Sequence, residues 1–140
     1  MKTIKFLSAI SILFCLVLTT NAQDNSDRDT SQDEQIVKTE VYYFHLTRRC
    51  TTCKAVEAEA RKAVEELYPE EMKNGKISFS SINIEEEGNE EIIEKLGING
   101  QCLLIVKNGK QEDITNEGFL YATSKPDKLK EKIAETIKNI

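Results

Sequence analysis

Two cysteines three residues apart, Cys50 and Cys53, stand where one hydrophobic period gives way to another. Before them Val41-Tyr42-Tyr43-Phe44 is a β-branched and aromatic run, the pattern of a strand buried on both faces. After them Val56, Ala60, Ala63, Val64 and Leu67 fall on one stripe of a helix. Glu57 precedes Arg61 by four residues, the favourable order for an ion pair along such a helix. Pro69 ends it, because a proline keeps the preceding residue, Tyr68, out of α geometry. A buried strand, a short loop Thr47-Arg48-Arg49 and a helix that opens on Cys-Thr-Thr-Cys leave few folds open.

The rest of the chain narrows them further. Residues 76–84 (KISFSSINI) predict a second strand, and the shift of apolar phase at Ser80-Ser81 predicts a bulge in it. Asn89 is placed to cap a short helix through Ile92, Ile93 and Leu96, which Gly97 stops. Leu103-Leu104-Ile105-Val106 is fully apolar and therefore a central strand. Asn108-Gly109 follows it at once, a strong hairpin signal, and Lys110 begins an antiparallel fourth strand. Ser124 and Asp127 have the spacing of a capping box before a last helix bearing Leu129, Ile133, Ile137 and Ile140. The expected order is β-α-β-α-β-β-α, an α/β domain with a four-stranded mixed sheet and helices on both faces.

The N-terminal region belongs to another class. Lys2 and Lys5 precede a 13-residue apolar stretch, Phe6 to Leu18, and Thr20-Asn21-Ala22 has the small residues of a cleavage site. This predicts a signal peptide over residues 1–22, cleaved after Ala22, and a periplasmic or secreted protein with no membrane span once it is removed. Cys15 sits in the middle of that apolar stretch and is a residue of the signal. Removal takes two lysines and no acid, so the net charge moves from −5 to −7. That balance argues against binding nucleic acid through its phosphates. Residues 23–36 carry six charges and almost no apolar material, which predicts a disordered acidic linker before a domain over residues 37–140. Three cysteines remain, Cys50, Cys53 and Cys102, an odd number that cannot all pair within one chain.

Placement gives the Cys50–Cys53 pair its chemistry. The first cysteine sits at a helix N-terminus, where unpaired N–H groups and the positive end of the dipole stabilise a thiolate. Arg48 and Arg49 are expected to add positive charge beside it. Cys53, about one turn further in, is more buried and close enough to form a disulfide. Cys50 is then the attacking thiol and Cys53 the resolving one.

From Val41 to the C-terminus the chain resembles a thioredoxin-family domain. The resemblance is carried by the cysteine pair and by Leu96-Gly97-Ile98-Asn99-Gly100, an apolar strand and Lys107-Asn108-Gly109-Lys110. Tyr43-Phe44-His45 with Arg49-Cys50-Thr51-Thr52-Cys53 is similar, more narrowly, to secreted bacterial proteins of the nitrophenyl compound nitroreductase subunit ArsF-type family. The resemblance implies thiol–disulfide exchange with protein thiols or disulfides, or with a membrane thiol-electron donor. It does not extend to nitroreduction, since no flavin-binding stretch is present, and no cofactor is expected. Three departures stand out. Arg49 occupies the usual position of a tryptophan, Thr-Thr separates the cysteines, and Gly100-Gln101-Cys102 replaces the loop that normally carries a cis-proline. That alignment puts a third sulfur near the other two.

Other readings attach to the same residues. Cys50, Cys53 and Cys102 as three thiolates would suit Cu(I) or arsenite better than tetrahedral zinc, giving a soft-metal-binding alternative. Cys102 is otherwise a small buried apolar residue at the start of a strand, and the CxxC bridge an inert one. His45 could pass protons to or from Cys53, or simply hydrogen-bond a neighbour at the end of its strand. The acidic residues Glu85 to Glu87, Glu90 and Glu91 form a solvated loop and a first helical turn and lack the spacing of an EF-hand.

Overall fold

A computed structural model describes residues 38–140; the expected signal peptide and the linker over 23–36 lie outside them. The elements run β1 (Thr39–His45), α1 (Thr51–Leu67), α2 (Pro69–Lys73), β2 (Ile77–Asn83), α3 (Glu90–Leu96), β3 (Cys102–Lys107), β4 (Lys110–Asp113), α4 (Thr115–Tyr121) and α5 (Pro126–Asn139). The sheet order is β2-β1-β3-β4, with β1 parallel to β2 and antiparallel to β3, and β3 antiparallel to β4. This is the expected mixed sheet of a thioredoxin-like α/β fold, with two short helices added.

Strand β1 lies inside the sheet and is buried on both faces, as its unbroken apolar run requires. Val41 and Tyr43 pack with Val56, Ala60 and Val64 of α1, Leu103 and Ile105 of β3, and Leu129 and Ile133 of α5. Tyr42 and Phe44 point the other way, to Leu104 and to Ile92, Ile93 and Leu96 of α3. Asn108 (φ 52°) and Gly109 (φ 76°) make the tight turn between β3 and β4. Both residues lie in the left-handed region, which is what a two-residue hairpin of type I′ demands.

Three local expectations are corrected and a fourth, for Pro69, holds with an addition. Strand β2 pairs with β1 in unbroken register from Ile77 to Asn83, so there is no bulge at Ser80-Ser81. Its apolar phase shifts because Ile77 and Phe79 are covered from the α1 side, whereas Ile82 and Ile84 are covered from the α3 side. Pro69 does end α1, yet it also serves as the first residue of α2, a position where the missing N–H costs nothing. Ser124 makes no capping box: its hydroxyl donates to the Leu120 carbonyl, and α5 starts at Pro126 behind Lys125. Asn89 does precede α3, but its side chain donates to the Asn83 carbonyl instead of capping the helix.

Helix α4 is an addition that the sequence concealed behind Gly118. A glycine lowers helix propensity by about 1 kcal/mol, and here close packing favours it. A Cβ at Gly118 would lie 3.1 Å from Val56 Cγ1 and 3.3 Å from Leu103 Cδ2, so a side chain there would press both neighbours back by a few tenths of an ångström. Thr115 ties the same helix to the sheet, its hydroxyl accepting the Leu103 N–H at 2.9 Å.

Candidate redox-active disulfide

Helix α1 begins one residue after Cys50, and Cys50 is its N-cap with extended backbone (φ −75°, ψ 168°). In place of the usual hydroxyl or carboxylate, the Cys50 sulfur accepts the Cys53 N–H at 3.0 Å. No acidic residue stands in the first turn to oppose the positive end of the helix dipole. Cys50 is exposed and Cys53 only 7% exposed. The two are joined in a disulfide, with 5.0 Å between their Cα atoms.

The loop before Cys50 is held from the neighbouring strand. The Thr47 N–H donates to Glu85 Oε2 at 2.9 Å, and Asn83 Nδ2 donates to Thr47 Oγ1 at 2.9 Å. The Glu85 N–H returns to Asn83 Oδ1 at 3.1 Å. The Thr47 N–H holds the Glu85 carboxyl below its ordinary value. Glu85 was expected to be merely solvated; it anchors the loop that presents the disulfide.

Arg48 and Arg49 part company. Arg48 is exposed. The Arg49 side chain turns inward and its guanidinium binds the carboxylate of Glu57, two turns along α1. Glu57 also keeps its expected partner, Arg61, at 3.8 Å. Burial raises the Glu57 carboxyl, but the Ser81 hydroxyl, the Arg49 guanidinium and the charge of His45 outweigh it and leave the group below its usual value. Ser81 Oγ is buried and makes no hydrogen bond of ordinary geometry. The Tyr43 hydroxyl is buried without a partner in the same region. Burial pushes that phenol up to about 12, Arg49 opposing and Glu57 and Cys102 adding to the rise.

Glu57, Ser81 and Tyr43 were not singled out as site residues from the sequence. The missed signal was helical spacing: Glu57 follows Cys53 by four residues and Cys50 by seven, which puts all three on one face. His45 makes the neighbour hydrogen bond that the simpler of its two readings expects. Its Nδ1 donates to the Leu46 carbonyl at 2.9 Å, and no hydrogen bond among the described residues joins it to Cys53.

Cys102 sits on a different element from the other two sulfurs. It opens β3 opposite Phe44 and packs with Tyr42, Phe44 and Leu104, on the face of the sheet away from α1. Among the described residues no group of three or more His, Cys, Asp or Glu side chains is arranged to hold a metal ion. Burial, with a smaller contribution from Asp113, pushes the Cys102 thiol up to about 11. In the reduced protein at neutral pH, Cys50 is expected to be alkylated first. Cys102 should follow on the order of a hundredfold more slowly, since the thiolate is the reacting species. Peptide mass spectrometry after a short iodoacetamide pulse measures this, and comparable labelling of Cys102 and Cys50 would contradict it.

No family model and no curated protein matches the chain. A solved structure of a malarial protein aligns over 63% of this chain and 96% of its own, at 16% identity and a TM-score of 0.40. Among the described residues no helix is long and apolar enough to cross a membrane.

Proposed function

We propose that the protein is a thiol–disulfide oxidoreductase that exchanges disulfides with other proteins outside the cytoplasm. The observation that carries this reading is the asymmetry of the pair: an exposed sulfur capping a helix N-terminus, bridged to a buried one a single turn in. In the reduced state the Cys50 thiolate attacks one sulfur of a partner's disulfide. A mixed disulfide forms and the partner's other sulfur leaves as a thiolate, which takes up a proton. Cys53 then loses its proton and attacks the Cys50 sulfur, which closes the Cys50–Cys53 bridge and releases the second partner thiol. Two electrons pass from the pair to the partner, and the reverse sequence oxidises a partner dithiol.

A protein partner suits the pair because Cys50 is exposed where helix α1 begins, within reach of a disulfide on another surface. The secreted setting rests on the basic and apolar segment at residues 1–22 and on the resemblance to secreted thioredoxin-like proteins. Reduction of a model protein disulfide tests the activity. Cys50→Ser should abolish turnover, whereas Cys102→Ser should keep most of it. Turnover that survives Cys50→Ser would refute the proposal.

A further inference from the structure

The sequence sets two arginines before Cys50, but only one leaves its charge free there. Arg49 is bonded to Glu57, whose backbone lies seven residues past Cys50, about 10 Å down the helix axis. We propose that Glu57 is a positioning residue for the thiol chemistry: by holding the Arg49 guanidinium in a part-buried ion pair two turns along α1, it withholds that cation from the Cys50 sulfur and limits how readily Cys50 ionises. This rests on the thiol-exchange reading and deepens it, since the ionisation of Cys50 sets both its reactivity and the oxidising strength of the pair.

The surroundings of Glu57 favour this role. Arg61 faces it from its own helix, His45 and Tyr43 from β1, Ser81 from β2, and Arg49 from the loop. Three of these groups favour the ionised carboxylate, so at neutral pH Arg49 meets a full negative charge. The Arg49 side chain is about one-quarter exposed, drawn off the surface that Arg48 keeps. A paired cation and anion largely cancel at a distance, which leaves the helix N-terminus and Arg48 to stabilise the Cys50 thiolate.

Charge variants separate this from a merely structural ion pair. In the reduced full-length protein, the pH midpoint of Cys50 alkylation should fall on the order of one unit in Glu57→Gln, where Arg49 is uncompensated. It should rise in Arg49→Gln, where the anion is left alone, and return near the parent value when both changes are combined. The stabilised thiolate favours the reduced state, so Glu57→Gln should also be the stronger oxidant. Against a glutathione couple the dithiol–disulfide constant should change up to about tenfold, or about 30 mV. His45→Gln serves as a control for imidazole titration. An unchanged midpoint in folded Glu57→Gln would overturn the proposal. So would an unchanged midpoint together with slower release of mixed disulfides, because Glu57 would then be acting on Cys53. Should Glu57→Gln fail to fold, equal midpoints for Arg49→Gln and the double variant would be the contrary result. Failure of the exchange reading itself would show in the parent protein, as a bridge that the glutathione couple leaves untouched.

Discussion

Cys53→Ser is expected to turn the protein into a covalent trap. Cys50 keeps its exposed sulfur and its place at the start of α1, so it still attacks a partner disulfide. The mixed disulfide then cannot be resolved from within, because the thiol one turn away has become a hydroxyl. Partner release should slow by orders of magnitude, and a reductant-sensitive adduct should accumulate on non-reducing gels. Cys50→Ser should give no adduct, since Cys53 is buried at the entry to the core and presents little sulfur to a partner. The opposite pattern, with trapping by Cys50→Ser, would reverse the assigned roles.

The second large effect lies in the core that supports the site. Ile133 of α5 is fully buried and belongs to the cluster that joins α5 to α1 and to strands β1 and β3. Ile133→Ala removes buried carbon and leaves a cavity, with an expected cost of about 2–5 kcal/mol. For a domain of this size the melting temperature should fall by on the order of 10 °C or more. Leu120→Ala, at a side chain 62% exposed on α4, should change stability by less than about 0.5 kcal/mol. Urea unfolding of both variants in the oxidised state measures the contrast, and equal midpoints would show that the core has been wrongly placed.

The legible parts of this fold were those in which a local pattern and a tertiary demand coincide. The apolar run of β1 and the stripe of α1 describe surfaces that had to be covered, and Asn108-Gly109 has only one comfortable turn to make. Expectation failed where tertiary packing used a residue against its local preference. Gly118 breaks a helical pattern, but it lets α4 lie close against Val56 and Leu103. The phase shift in β2 is a change of which face is covered, which one strand taken alone cannot reveal.

The site divides in the same way. Cys50 and Cys53 were readable because strand, loop and helix fix where a CxxC must lie. The inward turn of Arg49 was not, since whether an arginine faces solvent or a carboxylate two turns away depends on how the loop is set against α1. Cys102 illustrates a third case. Loop alignment alone does not say which face of the sheet it takes, and strand alternation puts it with Tyr42 and Phe44.

The equilibrium reduction potential of the Cys50–Cys53 pair, measured on the full-length protein against a glutathione or dithiothreitol couple, tests the central claim most directly. A catalytic pair should titrate reversibly as one two-electron couple, with a potential between about −270 and −120 mV. A bridge that resists reduction, with a potential below about −300 mV, would be a structural disulfide and would contradict the account.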